Sequence, residues 1–431
     1  MTKTLAEAIG GARRIIGGPF GSKLTTKDYA SSGIPVIRGS NMEVDGRWIG
    51  GEFAFVSAEK YDRDLASNSA RAGNIIVTQR GTLGQVSIIP DDSAFQQYVV
   101  SQSQMAIDVD PSTADRNFVY YYLRSPTFVD HSHTQTIQTG VPHINLGVLR
   151  EAPSNFPPLD EQREIAAILG ALDDKIELNR KTAATLEAMA RALYRSWFVD
   201  FDPVWAKTEG RSPAHMPPAT AALFPDSFGD DGLPVGWTVQ PLKSLAKVTM
   251  GLSPKGTSYN DQAIGTPLCN GPVEYGDFFL KKAKWTTAPT RLAERGDLII
   301  CIRGSTTGRH AFADDQYCLG RGVAGVRGNT GSQEFIDNAL LFNMPALLEK
   351  TTGSVFPSLS QDDIGNFELT APGNTSIVTR FCELVRPFRE TAWNNIVENQ
   401  SLATLRDTLL PRLMSGELRV GEARDQVEVV A

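Results

Sequence analysis

The sequence lacks the features of several protein classes. No apolar run approaches the roughly 20 residues that a bilayer-spanning helix needs, and no charged-then-apolar leader opens the chain. Its 4 cysteines include no CxxC pair. This predicts reduced, buried thiols and argues against a zinc site. We therefore expect a cytoplasmic protein with no membrane association.

Catalytic motifs are also missing. There is no Gly-x-x-x-x-Gly-Lys phosphate loop, and the 5 histidines form no HExxH motif. Residues 155–158 read Asn-Phe-Pro-Pro, which has the residue types of an adenine methyltransferase motif in the wrong order. The sequence therefore predicts a non-catalytic chain that binds no cofactor or metal of its own.

Charge and composition set broad limits. A net charge of −7 argues against a protein that coats nucleic acid through bulk charge, but it does not exclude a local basic face. The 431 residues, with 41% hydrophobic and 21% charged side chains, predict two or three globular domains.

Two stretches carry apolar residues at the heptad spacing of a coiled coil. A shift of 216 residues, the separation of Asn179 from Asn395, aligns them. The predicted seam consists of Ile165, Leu169, Leu172, Ile176, Asn179, Leu186, Leu193, Phe388, Asn395, Leu402 and Leu409. The chain is thus predicted to supply both helices of its own antiparallel coiled coil. The two asparagines either restrict its register or are solvated at the seam.

Three shorter blocks recur in the same order ahead of each helix. They are Ile34–Gly39 and Thr266–Gly271, Gly73–Val77 and Gly296–Ile300, and the glycine-containing loops Arg80–Gly84 and Arg303–Gly308. This ordered set predicts a tandem repeat of two mixed units that share a fold and differ in what they recognise.

Proline and helix-end signals give the predicted boundaries. These are 1–158 for a first mixed domain, 159–202 for a helix, 203–234 for a Pro-rich linker, 235–372 for a second mixed domain, 373–420 for a second helix and 421–431 for a frayed tail. Asp160 is the expected N-cap of the first helix, whose 40 or so residues would span roughly 60 Å. Pro387 predicts that the regular part of the second helix starts near Phe388, and Pro411 predicts another kink or stop. The expected fold class is α+β, with two pseudo-symmetric mixed α/β domains separated by two long helices that form an antiparallel coiled coil.

The helices and their flanks resemble the DNA-specificity (S) subunit of type I restriction–modification enzymes. The first helix resembles that family's central conserved region, the C-terminal helix its distal conserved region, and the segment before the second mixed domain the lead into its second target-recognition domain. The residues that carry the resemblance are Pro157–Gln162, Ile165–Leu169, Leu172–Asn179, Leu193–Pro203, Leu233–Trp237 and Leu402–Leu418. Two features depart from the family pattern. The first half lacks a Pro-x-x-Trp lead, and Ala371–Asn374 replaces the Pro-Leu-x-Glu-Gln entry to the second helix.

The resemblance implies a non-catalytic subunit that reads double-stranded DNA. Its target would be asymmetric and bipartite, with one half-site for each target-recognition domain. Expected partners are two methyltransferase (modification) subunits, docked on the outer faces of the helices, and restriction/translocation subunits. S-adenosylmethionine, ATP and Mg²⁺ are expected on those partners. Two separated domains suit major-groove sites about 34–36 Å apart on one face of the duplex.

Base reading needs Arg or Lys for guanine and Asn or Gln for adenine. Candidates in the first domain are Lys23, Arg38, Asn41, Arg47, Gln79, Arg80, His131, His133, Gln135 and Gln138. Candidates in the second are Lys255, Asn270, Arg303, Arg309 and Arg321. Arg80 and Arg303 recur in both halves, which favours a role in loop structure or phosphate binding. The polar run His131–Gly140 has no sequence match in the second half, which favours a role in specificity.

Two other interpretations stay open at this point. One is an enzyme that cuts or methylates DNA by itself, which the missing motifs disfavour. The other is a coiled-coil protein-interaction scaffold whose mixed domains bind protein and have no intrinsic sequence-specific DNA reading.

Overall fold

The computed structural model describes residues 3–43, 46–135, 143–276, 278–351 and 357–428. The chain divides into two compact units. The first unit comprises Met1–Arg180 with Ile396–Ala431, and the second comprises Lys181–Asn395. We call the part of the first unit before residue 159 the first domain, and residues 235–372 the second domain.

Short strands and helices build the first domain. Its helices are α1 (Leu5–Ala8), α2 (Ala58–Lys60), α3 (Arg116–Arg124), α4 (Pro126–Thr134) and α5 (Leu146–Arg150). Its strands are β1 (Ile15–Gly17), β2 (Tyr29–Ala30), β3 (Ile34–Ile37), β4 (Ala54–Val56), β5 (Ser69–Ala70), β6 (Ile75–Thr78), β7 (Val86–Ile88), β8 (Tyr98–Val100) and β9 (Gln104–Ile107). The long helix α6 (Leu159–Phe198) follows and continues into the second unit.

The rest of the chain repeats this pattern. Helices α7 (Asp202–Thr208) and α8 (Pro218–Ala221) precede the second domain, which contains α9 (Leu242–Leu245), α10 (Gln333–Glu349) and α11 (Gln361–Gly365). Its strands are β10 (Trp237–Pro241), β11 (Ala246–Met250), β12 (Tyr259–Asn260), β13 (Thr266–Cys269), β14 (Trp285–Thr286), β15 (Leu292–Ala293), β16 (Leu298–Cys301), β17 (His310–Phe312), β18 (Tyr317–Leu319), β19 (Val323–Gly328) and β20 (Glu368–Pro372). The long helix α12 (Thr375–Ser415) and then α13 (Val420–Glu428) complete the described chain.

The two domains have the same sheet topology. In the first, the strand orders are β1-β9-β6-β7 and β2-β4-β3-β8-β5, with β3 and β8 parallel. In the second they are β11-β19-β16-β17 and β12-β14-β13-β18-β15, with β13 and β18 parallel. An added pair, β10 with β20, brackets the second domain. The predicted α+β fold with two mixed domains and two long helices is therefore confirmed.

The core of the first unit lies on both faces of β6. Ile75 and Val77 pack in a cluster with the aromatic helix α3 and the long helices, whereas Ile76 faces the opposite way against Ile37 and Tyr98. Alternate side chains of a strand point to opposite faces, so a strand that is apolar at every position is suited to burial on both.

The two long helices pair antiparallel within the first unit. Arg406 contacts Asp173 at 2.8 Å, while Asn399 donates to the carbonyl of Ile176, so the numbering of the two helices runs in opposite directions. The apolar seam positions on this segment are buried: Ile165, Leu169, Leu172, Ile176, Leu402 and Leu409. Asn179 is also buried and donates to Glu398 and Asn399 at 2.8 and 3.0 Å. The asparagine that Asn179 contacts is thus Asn399, four residues beyond the predicted seam residue Asn395.

Aromatic side chains fill the helix pair in the second unit. Tyr194, Trp197 and Phe198 of α6 pack against Phe381 of α12, with ring centroids 5.2–6.1 Å apart. The predicted seam residues of this unit, Leu186, Leu193, Phe388 and Asn395, are half-buried.

Four local predictions were wrong. Helix α12 continues through Pro387 and Pro411, because buried contacts at Phe381, Val385 and Ala392 hold it on both sides of Pro387. The proposed linker 203–234 is folded, since α7 and α8 bury Val204, Ala206 and Phe224. The tail forms α13 up to Glu428 because Ala423 joins the core. Asp160 lies inside α6 rather than capping it.

Candidate nucleic-acid interface

Loops of the first domain converge at one end, around the turn between β8 and β9. Gly18 packs so closely on this turn that a Cβ atom there would lie 1.9 Å from the carbonyl oxygen of Ser101. The backbone N–H groups of Gln79 and Arg80 donate to the carbonyl of Ser103 at 2.8 and 3.3 Å. We call these segments, residues 18–24, 38–42, 79–85, 101–104 and 143–145, the first loop end.

Four of the candidate residues lie at the first loop end with access to solvent. Lys23 and Arg80 are exposed, and Arg38 and Gln79 are half-buried. Gln79 donates through its side chain to the carbonyl of Gln102 at 3.4 Å. The Nε atom of Arg38 is buried and has no hydrogen-bond partner among the described residues. This end of the domain therefore brings together cationic and amide side chains from separate loops.

The second domain repeats this arrangement. A Cβ atom on Gly251 would lie 2.0 Å from the carbonyl oxygen of Gly320, and the N–H of Ile302 donates to the carbonyl of Gly322 at 2.9 Å. We call residues 251–256, 270–274, 303–308, 320–322 and 357–358 the second loop end. Three of its candidates, Lys255, Arg303 and Arg321, are exposed, and Asn270 is half-buried.

Arg80 and Arg303 occupy matching places. Each forms an antiparallel bridge with a segment far along the chain, Arg80 with His143 and Arg303 with Ser358. The N–H of Ile144 donates to the carbonyl of Gln79, and the N–H of Gly304 donates to the carbonyl of Pro357. Both loops are thus held at their bases, and each carries one exposed guanidinium group.

Two candidates are poorly placed to read bases. Asn41 is 2% exposed, and its amide donates to the carbonyls of Gly50 and Glu52 while accepting from the N–H of Arg38. The side chain of Arg47 is 10% exposed and bonds Asp174 of α6 at 2.9 Å. The polar atoms of both residues hold the first unit together, which argues against a role in reading bases.

The remaining candidates differ in their exposure and in whether their side chains are hydrogen-bonded. Arg309 donates to the carbonyl of Tyr275 at 3.3 Å, and His131 contacts the carbonyl of Val148 at 3.1 Å. His133 and Gln135 are exposed near the end of α4, and Gln138 lies outside the described residues. In the order of elements along the chain, α10 of the second domain corresponds to α3 and α4 of the first. The helical part of the polar run, at the end of α4, therefore has a structural counterpart in the second domain.

Sequence reasoning missed two features of the loop ends. Gln102 lies on the turn between β8 and β9, and Arg321 lies on the matching turn between β18 and β19. Phe20 and Leu252 are large apolar residues that are exposed on equivalent turns after β1 and β11. The sequence signal for these turns is only a glycine followed by an apolar residue and a lysine, which is too common to single out.

The described ranges contain neither a metal-ligand cluster nor an exposed thiol. Over the described ranges, no group of three or more His, Cys, Asp or Glu side chains is arranged to hold a metal. The four cysteines are free and buried, and burial raises the pKa of Cys382 to about 12. None of the helices in the described ranges combines the length and the hydrophobicity needed to cross a bilayer.

Comparison with known proteins identifies the family. The profile of the type I restriction modification DNA specificity domain matches residues 21–188 and 234–378. The chain is 24% identical over 404 residues to the specificity subunit of the type I restriction enzyme MjaIX of Methanocaldococcus jannaschii, covering 84% of this chain and 82% of that protein. It is 24% identical over 412 residues to the HindI specificity subunit of Haemophilus influenzae, covering 82% and 88%.

A solved structure shows the same fold. The crystal structure of the S subunit of a type I restriction–modification system from M. genitalium aligns with a TM-score of 0.55 and 16% identity, over 93% of this chain and 92% of that one. Because the profile matches both repeats, the assignment covers most of the molecule. The chain therefore belongs to the type I restriction–modification DNA specificity family and is a DNA-recognition subunit of that class.

Proposed function

We propose that each loop end binds duplex DNA and reads one half of an asymmetric, bipartite target. The observation that carries this is the pattern of likeness between the two ends. Exposed arginines recur at the same position, Arg80 and Arg303. The turn between β18 and β19 carries the exposed Arg321, whereas the matching turn of the first domain carries Gln102, whose amide is bonded to the carbonyls of Gly21 and Leu24. Phosphate contacts position a protein and are shared, whereas base contacts specify and differ.

The chemistry of these side chains supports separate roles. Arg321 is exposed, and an arginine can donate two hydrogen bonds to O6 and N7 of guanine, a contact that discriminates by about 1–3 kcal/mol. Arg80 and Arg303 would neutralise phosphates. Each such contact contributes about 0.9 to the slope of log affinity against log salt.

The long helices provide the scaffold in this proposal. Leu178 and Val397 in the first unit and Met189 in the second are exposed apolar side chains on α6 and α12. Two methyltransferase subunits would dock on such faces, and restriction/translocation subunits would join the complex. S-adenosylmethionine, ATP and Mg²⁺ would be held by those partners, and this chain would be non-catalytic.

The alternative, a scaffold without intrinsic DNA reading, is not favoured. Both repeats fall within the DNA specificity family. Both domains also carry cationic side chains on several hydrogen-bonded loops at the same end of the domain. A protein-binding scaffold would not require the same cationic end on both domains.

Substitution of Arg321 tests the proposal. The full chain would be produced with its methyltransferase partner, and the methylated motif would be determined by single-molecule sequencing of modified bases. Arg321→Ala should relax one position in one half of the motif and leave the other half unchanged. Arg211→Ala is the matched control, because Arg211 is exposed outside both loop ends. An unchanged motif for Arg321→Ala would contradict the assignment of this turn to base reading.

A further inference from the structure

We propose that Phe20 and Leu252 are specificity-determining residues that contact bases from equivalent turns of the two domains. This inference rests on the proposed DNA-binding role of the loop ends. Phe20 is 75% exposed and Leu252 is 49% exposed. Single exposed apolar side chains are common on protein surfaces. They lie on the same turn of both repeats but not at the same position, since Phe20 is two residues after the close-packed Gly18 and Leu252 is one residue after Gly251. The presence of an exposed apolar side chain on both turns is the observation that calls for an explanation.

Each turn is anchored on both sides of its apolar residue. In the first domain, Gly18 packs closely against the backbone of Ser101. The side chain of Gln102 donates to the carbonyls of Gly21 and Leu24 at 2.6 and 3.4 Å. Any side chain at position 18 would collide with backbone, so the glycine sets how closely the turn approaches the core. These contacts restrain the turn, which lowers the entropic cost of inserting its tip into a ligand.

The turn in the second domain is anchored by different bonds. The N–H of Leu252 donates to the carbonyl of Leu319 at 2.8 Å, and the N–H of Arg321 donates to the hydroxyl of Ser253 at 3.2 Å. The hydroxyl of Thr290 donates to the carbonyl of Leu252. Because Arg321 is bonded directly to this turn, the apolar tip and the proposed guanine-reading side chain belong to one connected surface.

The charges around the tips favour DNA as the occupant. Lys23 and Lys255 are exposed on the same turns, and Arg321 flanks the second. The nearest acid along the first turn, Asp28, is bonded to Lys60 at 3.0 Å and to the backbone of Thr25. An apolar tip with cationic neighbours matches a base step between phosphates, because the bases are apolar on their faces and the backbone is anionic.

The two side chains have different capacities. A phenylalanine ring can stack on a base or wedge between base pairs, and it can contact the methyl group of thymine. Leucine can wedge or contact a methyl group but cannot stack. The same turn would thus contribute a different preference to each half of the target.

The test compares Phe20→Ala and Leu252→Ala with Val239→Ala in the complex with the methyltransferase. Val239 is 53% exposed on β10, outside the second loop end. Motifs would be determined by single-molecule sequencing, and methylation rates measured on a duplex that carries the wild-type motif. Each loop variant should lose about tenfold or more in rate and broaden the half-site of its own domain, and Val239→Ala should match the wild type. Phe20→Trp should retain more activity than Phe20→Leu, because only tryptophan preserves an aromatic face.

Three other outcomes would overturn the inference in distinguishable ways. Wild-type rates and motifs for both loop variants would exclude base contact by the tips, and the proposed function would stand if Arg321→Ala still altered the motif. Reduced co-purification of the methyltransferase with an unchanged motif would identify the tips as a protein contact. A shared loss of both halves of the motif with a lowered melting temperature would show that the residues serve folding.

Discussion

Removal of the buried carboxylate of Asp173 should destabilise the first unit. The side chains of Asp173 and Arg406 are 7% and 5% exposed, and they bond at 2.8 Å where α6 crosses α12. The second carboxylate oxygen of Asp173 accepts from the hydroxyl of Tyr121 at 2.7 Å. Burial, reinforced by the Asp173 charge, raises the pKa of Tyr121 well above its ordinary value. The carboxylate therefore ties a helix of the first domain to both long helices.

The expected magnitude follows from these partners. Breaking a buried ion pair by removing one charge costs about 3–5 kcal/mol. In Asp173→Leu, Arg406 keeps its bond to the more exposed Asp407, so the expected cost lies at the lower end of this range, about 3 kcal/mol. The orphaned hydroxyl of Tyr121 adds about 1 kcal/mol. Replacing all three polar groups, as in Asp173→Leu/Arg406→Met/Tyr121→Phe, should restore stability to within about 1 kcal/mol of the wild type, since apolar groups of similar size can replace a buried pair.

Hydrogen exchange with mass spectrometry measures this locally. The protection of amides in α3 and in residues 165–180 should fall by about 100- to 1,000-fold in Asp173→Leu, because each 1.4 kcal/mol is a factor of ten. Peptides from the second unit serve as the internal control. A change below about fivefold, or a triple variant as unstable as the single one, would refute the reasoning that the cost comes from an uncompensated buried charge.

Three further predictions concern the loop ends and the Asp28 carboxylate. Asn41→Ala should lower the stability of the first domain by about 2–3 kcal/mol in calorimetry, through the unsatisfied backbone groups it leaves, while the methylated motif stays unchanged. Arg80→Ala and Arg303→Ala should each weaken binding to all sequences alike and reduce the salt slope by about 1 in anisotropy titrations; a change of motif would contradict the phosphate assignment. Hydrogen bonds from Thr25, together with Lys60, lower the pKa of Asp28 from 3.8 to about 2. The stabilisation from these bonds should therefore be present above about pH 4 and be lost as the pH falls towards 2. An NMR titration of the Asp28 carboxyl should show this midpoint, and Lys60→Met should raise it.

The periodic parts of the molecule were accessible from sequence. A heptad stripe needs only the positions of apolar residues, and the structure buries Ile165, Leu169 and Leu172 on the pairing face of α6. The duplicated Gly-x-apolar blocks likewise correspond to β6 and β16, which hold the same place in matching sheets. Sequence patterns predicted these parts correctly because one repeated spacing of apolar residues determines the structure.

Other parts depend on contacts between distant segments. Helix α12 runs through Pro387 while side chains before and after it are buried, and Phe381 packs against aromatic residues of α6 that lie far earlier in the chain. Asn41 has the residue type of a base reader, but the carbonyls of Gly50 and Glu52 engage its amide. Gln102 and Arg321 are equivalent only through strand order, since the turns that carry them share no sequence motif.

The most direct test of the central claim is the methylation pattern of host DNA. Modified bases would be sequenced in cells that express the methyltransferase partner with this gene intact, deleted, or carrying a first domain (residues 1–158) exchanged for that of another family member. We expect a two-part asymmetric motif that is methylated only when the gene is present, and a change of one half alone after the exchange. A motif that persists without the gene, or an exchange that leaves both halves as they were, would contradict it.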